Sequence, residues 1–161
     1  MSDDVFRLED HPCHLGLGAR VYVEEQFTGA LAWYEAYGAR HAGDGDEGRL
    51  VSMHTFDAPW TSWEMHPRGD ELVVCLRGVM TLYQERDGVR HTAVLRAGEA
   101  IVNPPGVWHT ADVDGEATAL FITAGAGTEH RPRGVIDQPS RDAGAVEPCH
   151  RGGAAISRAW P

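Results

Sequence analysis

The sequence predicts an all-β fold, a sandwich or barrel built from short strands. Runs of strand-forming residues follow one another from about residue 49 to residue 124, with no helical pattern between them. Turn-forming residues separate the runs, and the Asp87-Gly88 pair supplies the positive φ angles that a tight hairpin needs. The predicted strands cover residues 50–56, 62–66, 72–76, 79–85, 89–95, 100–102, 109–113 and 118–123.

The chain divides into an arm, a barrel and a tail. Residues 1–48 are predicted to form an N-terminal arm that packs on the barrel of residues 49–124. The arm contains a short strand at residues 20–23 and a short helix at residues 30–38, where alanines favour a helix although alternating aromatic residues would suit a strand. Residues 125–161 are rich in glycine, alanine, proline and arginine, which predicts a mostly irregular tail.

Composition excludes several functional classes. The 161 residues are enough for one domain with a core, and the formal net charge of −10 argues against a nucleic-acid partner, because phosphate binding needs clustered lysine and arginine. Three cysteines, Cys13, Cys75 and Cys149, lie too far apart to predict a disulfide framework or a zinc knuckle. We find no secretory signal and no apolar run of membrane-spanning length, so we expect a cytoplasmic protein without a membrane partner.

Two polar clusters, at residues 63–78 and 98–109, carry the candidate chemistry. Glu64 and His66 are two positions apart on a predicted strand and therefore point to the same face. Glu71 returns toward His66 after a Pro-Arg-Gly turn, and His109 follows the rigid turn Pro-Pro-Gly. Imidazole nitrogens and carboxylate oxygens that converge from neighbouring strands form the kind of site that binds a first-row transition metal.

These clusters resemble the two motifs of the cupin superfamily. The second motif is matched by Gly98, Pro104, Gly106 and His109, whereas Val113 stands where the family usually has asparagine. The first motif is matched by the residues His66, Glu71 and Gly78, with Glu64 in place of the motif's first histidine. The resemblance covers roughly residues 49–124 and implies a double-stranded β-helix, or jelly-roll, barrel that is usually dimeric and commonly holds one divalent metal.

Carried over position by position, the resemblance implies the ligand set Glu64, His66, Glu71 and His109. Two carboxylates make the site harder, which favours Fe(II) or Mn(II), with Zn(II) and Ni(II) as alternatives. Alternatively Glu64 does not bind the metal. It would then act as a catalytic general base or support a ligand, beside a triad of two histidines and one carboxylate. A further alternative is that the buried histidines and carboxylates satisfy each other without a metal.

The function that we predict is that of a metal-dependent small-molecule enzyme, which would be a homodimer. Its reaction would be of the oxygenase type at Fe(II) or Mn(II), or of the Lewis-acid isomerase or lyase type with Glu64 moving a proton. The alternative function is that of a non-catalytic module whose barrel binds a sugar or an effector.

Other histidines and the tryptophans receive no role in this site. His54 would be able to line the barrel, but we expect it in the core or on the surface, and we expect His91 and His130 on the surface. His14 lies in the arm and has no predicted function. The tryptophans are expected in the core and at a dimer interface, although Trp108 is adjacent to His109 and would be able to line the pocket.

Overall fold

The computed structural model describes residues 5–134, in which eleven strands, one α-helix and one short 3-10 helical segment are found. In chain order they are β1 (Cys13–Gly16), β2 (Arg20–Val23), α1 (Leu31–His41), the 3-10 segment (Ala42–Glu47), β3 (Arg49–Phe56), β4 (Ser62–Met65), β5 (Glu71–Arg77), β6 (Val79–Arg86), β7 (Val89–Arg96), β8 (Ala100–Asn103), β9 (Trp108–Val113), β10 (Ala117–Thr123) and β11 (Glu129–Pro132). Each of the eight strands predicted between residues 50 and 123 is present, with bounds that differ by no more than one residue.

The strands form two antiparallel sheets that pack face to face. One sheet has the order β2-β1-β3-β10-β5-β8, and the other has the order β11-β4-β9-β6-β7. Side chains from both sheets meet in one buried cluster, whose members are Val73, Cys75, Met80, Leu82, Leu95, Ala111, Ala117, Ala119 and Phe121. The predicted jelly-roll architecture is therefore confirmed.

Burial alternates along the strands that supply the core. In β10, Ala117, Ala119, Phe121 and Thr123 are buried while the intervening residues are only partly so. In β5 the buried positions include Glu71, which begins the strand on the same face as the apolar core residues. A charged side chain at an inward position is the first sign that this end of the barrel is not purely structural.

The hairpin between β6 and β7 has the predicted turn. Arg86 and Val89 are cross-strand partners, so the loop has two residues. Asp87 and Gly88 have φ angles of 53° and 75°. Positive φ at both positions is the requirement of a type I′ turn, whose twist matches that of the flanking strands.

The N-terminal arm adds two strands and a helix to the barrel. β1 pairs with both β2 and β3, so the arm extends the six-stranded sheet. The predicted helix is present as α1, and it buries Trp33, Tyr34 and Tyr37 beside Leu50. The sequence did not predict β1, because four residues with no alternation give no strand pattern.

One strand lies within the range predicted as an irregular tail. β11 pairs with β4 over four residues and becomes an edge of the five-stranded sheet. The five-stranded sheet therefore extends beyond residue 124, where the sequence analysis placed the end of the barrel. The rest of the predicted tail, from residue 135 onward, lies outside the described residues.

Among residues 5–134, no helix is both long enough and apolar enough to span a membrane.

Replacement of Gly78 by alanine should destabilise the fold by about 3 kcal/mol. Gly78 joins β5 to β6 with a φ of 78°, and a Cβ there would overlap the Glu116 carbonyl oxygen. A positive φ costs an alanine about 1 kcal/mol, and the overlap adds about 2 kcal/mol. The measurement is the free energy of unfolding by denaturant. Gly88→Ala is the matched control, because its φ is 75° but nothing lies within 4 Å of the added carbon. Equal losses in the two variants would contradict the steric explanation.

Candidate metal centre

The structure brings the four predicted residues together at one end of the barrel. Glu64 on β4 lies directly opposite His109 on β9, and His66 follows β4 immediately. Glu71 begins β5, which belongs to the other sheet. Relative exposures are 3% for Glu64, 1% for His66 and 0% for Glu71 and His109. The site is therefore built where the two sheets meet and is shielded from water.

Distances between the side chains suit ligands of a single ion. Ligand atoms of Glu64, His66 and His109 all lie within 4.8 Å of one another. Glu71 approaches the same histidines, with Oε1 at 3.4 Å from Nε2 of His66 and Oε2 at 3.1 Å from Nε2 of His109. Ligands that hold a metal at about 2.1 Å with a right angle between them are about 3.0 Å apart. The contacts of Glu71 are close to that separation.

Hydrogen bonds assign the tautomers of both histidines. Nδ1 of His109 lies 3.1 Å from the Val107 carbonyl, which only accepts, so Nδ1 carries the proton. Nδ1 of His66 lies 2.7 Å from the Thr128 hydroxyl. That hydroxyl donates to the Gly125 carbonyl at 2.8 Å, so it accepts from His66. In neutral His66 and His109 the lone pair is therefore on Nε2.

Both Nε2 atoms are buried, and neither has a hydrogen-bond partner within residues 5–134. A lone pair that faces a carboxylate at 3.1 Å is repelled by it, so the arrangement favours a cation between the two groups. A proton or a metal ion fulfils this requirement. The residues present therefore fit a divalent metal, with His66 and His109 as nitrogen ligands and Glu71 or Glu64 as oxygen ligands.

Glu71 is an ionised carboxylate in a fully buried position. Asn103 donates to its Oε2 at 3.0 Å, and Thr123 donates to its Oε1 at 2.7 Å. Burial works to raise the pKa of Glu71, but His66 and His109 outweigh it and hold the pKa well below its usual range. The negative charge is thus present at neutral pH and available to a cation.

The charge of Glu71 acts in turn on His109. Burial works to lower the pKa of His109, but the Glu71 carboxylate, and then that of Glu64, raise it above its ordinary value. In the absence of another cation, a proton on His109 is therefore stabilised by the carboxylates around it.

Several supporting residues were missed in the sequence. Gln84 donates to Oδ1 of Asn103 at 2.6 Å and so fixes the amide that holds Glu71. Thr123 and Thr128 act directly on Glu71 and His66. The available signal was a polar residue on the otherwise apolar inward face of a strand, as Gln84 is beside Met80 and Leu82 in β6.

His130 is not an ordinary surface histidine, so the sequence expectation was wrong. It is the β11 residue directly opposite Glu64, and its Nε2 lies 3.8 Å from Oε1 of Glu64. Its side chain is 22% exposed, but the Nε2 atom itself is buried. β11 was not predicted, so nothing in the sequence placed this residue beside the site.

A second histidine cluster lies in the arm, where no role was predicted for His14. The buried His14 contacts Asp44 through Nε2 at 2.8 Å and the Tyr37 hydroxyl through Nδ1 at 2.7 Å. Its ring stacks on that of His41 at 3.7 Å, and Nε2 of His41 contacts Glu24 at 2.6 Å.

This second cluster is explained as packing. The ligand atoms of His14, His41 and Asp44 lie within 4.8 Å of one another, as those of the barrel site do. The His14 and His41 rings are stacked with a tilt of only 15°, so their in-plane lone pairs lie in nearly parallel planes. Both nitrogens of His14 already have protein partners. The cluster therefore links the arm to α1 and to the 3-10 segment.

The tryptophan next to the site lies on the outer side of the sheet. Trp108 stacks under the Arg131 guanidinium, which is 4.5 Å from the ring centroid. Trp63 is buried, with Arg131 and Arg90 at 5.1 and 5.2 Å from its ring. The predicted core role holds for Trp63 and also for Trp33, which is buried beside Leu50. Trp60 packs against the main core cluster through Phe121 and lies 6.5 Å from the His109 ring.

Replacement of Thr123 by valine should lower the free energy of unfolding by about 2 kcal/mol. The substitution keeps the shape of the side chain but removes the donor to the buried Glu71 charge, and such bonds contribute about 1.5–3 kcal/mol. Denaturant unfolding measures the loss. Thr118→Val on the same strand is the control, because Thr118 bonds to Thr55 in an exposed position, and we expect a change below about 0.5 kcal/mol. A loss in Thr118→Val as large as that in Thr123→Val would contradict this assignment.

Comparisons with solved structures give three examples of similar chains. A cupin-2 domain containing protein from Shewanella frigidimarina is 24% identical, with a TM-score of 0.40 over 53% of this chain and 71% of that chain. Oxalate oxidase in complex with the substrate analogue glycolate is 24% identical, with a TM-score of 0.47 over 57% and 50%. Hydroquinone 1,2-dioxygenase from Sphingomonas sp. TTNP3 with 4-hydroxybenzoate bound is 16% identical, with a TM-score of 0.40 over 47% and 59%.

The chain spans only 50% of the length of oxalate oxidase and 59% of the length of hydroquinone 1,2-dioxygenase. No curated protein matches the sequence.

A family model of the cupin domain matches residues 55–125. The matched range begins in β3, ends just after β10, and includes all four residues of the candidate metal centre. The motifs, the two packed sheets and this match agree with one another. Residues 55–125 are therefore similar to the cupin domain, in agreement with the resemblance found in the two motifs.

Proposed function

We propose that this protein is a metal-dependent enzyme that acts on a small organic substrate at the barrel site. The observation that carries the proposal is the pair of buried Nε2 atoms of His66 and His109, which lack hydrogen-bond partners among the described residues. Their other nitrogens are held by Thr128 and by the Val107 carbonyl, so both lone pairs are fixed toward the carboxylates. Ligating histidines in metal sites are oriented in this way.

The donor set supports a metal of borderline or hard character. The donors are imidazole nitrogens and carboxylate oxygens. The buried thiol of Cys75 is not one of them, because it donates to the carbonyls of Arg77 and Gly78. Fe(II) or Mn(II) suits such donors best, and Zn(II) or Ni(II) is the alternative. We assign His66, His109 and Glu71 as ligands, with Glu64 as the fourth.

The two carboxylates differ in a way that suits two roles. Both oxygens of Glu71 accept hydrogen bonds, from Asn103 and Thr123, so its position is fixed. Glu64 lies between His109 and His130 on the same sheet and is the candidate for holding or moving a proton. When bound, the ion would supply Lewis acidity and, for iron or manganese, one-electron redox chemistry.

One observation favours the alternative function, a binding module without turnover. His109 and Glu71 are 3.1 Å apart, and a proton between them satisfies both groups as well as a metal does. In that case Glu64 and His66 would be polar contacts for a bound small molecule. The two proposals differ in whether the site requires a metal ion.

Alanine in place of His66 or His109 should reduce the bound metal from near one equivalent to below a tenth. Each substitution removes one of the two nitrogen ligands, so we expect the remaining donors to bind a first-row ion too weakly to retain it. Elemental analysis after reconstitution with Fe(II) or Mn(II) measures the content. His91→Ala is the control, because His91 is exposed on β7. Full metal content in either variant, or none in the unmodified protein, would contradict the proposal.

Histidine in place of Glu64 should keep the metal. The variant has the ligand set more common in the family, and the imidazole reaches the same side of β4 as the carboxylate. The dissociation constant for Mn(II) should change by less than about tenfold, whereas Glu64→Leu should weaken binding by about 10–100-fold. Competition with a chromophoric chelator measures both constants. Loss of the metal in the histidine variant would show that Glu64 does not have ligand geometry.

The substrate class and the homodimer stay predictions. Val21 and Val23 on the edge strand β2 are 62% and 51% exposed, which gives a second copy an apolar edge to contact.

A further inference from the structure

We propose that His130 is a positioning residue for Glu64, which it holds in place for the metal. This inference rests on the proposed function and extends it to a residue outside the cupin match, which ends at residue 125.

The first support is the strand register. β11, β4 and β9 are adjacent in the five-stranded sheet, and His130, Glu64 and His109 are direct partners across them. Direct partners in antiparallel strands project their side chains to the same face. Glu64 is thus flanked by His109 on one side and by His130 on the other. We assign His109 as a metal ligand.

The second support is the state of the His130 ring. Its Nε2 is buried and lies 3.8 Å from Oε1 of Glu64, which is too far for a hydrogen bond. No other described residue bonds to this nitrogen. Buried polar atoms in proteins are normally hydrogen-bonded, so a bond to the carboxylate that it faces would satisfy this nitrogen.

The third support is the way in which Glu71 is held. Asn103 and Thr123 hold its carboxylate from two sides. Ligating carboxylates are oriented by hydrogen-bond donors of this kind, and His130 is an imidazole that faces Oε1 of Glu64. A carboxylate oriented in this way loses less freedom when the metal binds.

The test compares His130→Leu with His130→Gln, because glutamine keeps an N–H donor near the same position. The probe is Mn(II), and the electron paramagnetic resonance signal of the free ion gives the dissociation constant without an activity assay. We expect a 10–100-fold weaker constant for His130→Leu and a change below about threefold for His130→Gln. His91→Leu is the matched control, since His91 is exposed on the same sheet and should leave the constant unchanged.

A double-mutant cycle separates positioning from a general structural effect. In a Glu64→Gln background, His130→Leu should change the constant by less than about threefold, because there is no carboxylate left to hold. A loss equal to that in the unmodified background would overturn the inference. Unaltered binding by His130→Leu would also overturn it and leave the proposed function intact. If the unmodified protein binds no Mn(II), Fe(II) or Zn(II), the proposed function itself fails and the inference with it.

Discussion

The buried negative charge of Glu71 is the constraint on which the rest of the site depends. An isolated carboxylate in a protein interior costs several kcal/mol, so the fold must supply donors and a positive partner. Asn103 supplies one donor from β8 and Thr123 another from β10, while His66 and His109 approach from the opposite sheet. The complete site therefore requires that both sheets are packed against each other.

Because Glu71 is negatively charged, a proton and a metal ion compete for this site. A proton on His109 and a metal ion between the side chains both neutralise Glu71, and the carboxylates raise the pKa of His109 in favour of the proton. The hydrogen bonds from Nδ1 of His66 and His109 keep the Nε2 lone pairs directed inward in either case. The metal-dependent enzyme and the metal-free binding module that we propose as its alternative therefore differ in which cation neutralises Glu71.

The sequence was sufficient for the eight strands β3 to β10 and for the convergence of Glu64, His66, Glu71 and His109, because side-chain alternation is local and the glycine and proline spacing is distinctive. That these four residues are metal ligands stays a prediction. It was not sufficient for contacts that depend on distant pairing. Thr128 bonds to a residue 62 positions away. His130 reaches Glu64 only through β11, a four-residue strand within a segment whose composition predicted a tail. His14 likewise contacts Asp44, which lies 30 positions further along the chain. A contact between such distant residues produces no recognisable pattern in the sequence around either of them.

We propose that one metal ion lies between the two sheets, and anomalous diffraction tests for this ion most directly. Crystals grown with Mn(II) would be measured on both sides of the manganese absorption edge. We predict a single strong peak within about 2.3 Å of Nε2 of both His66 and His109, with Glu71 oxygen at a similar distance. A barrel site without a peak, or a peak only at His14 and His41, would contradict the account.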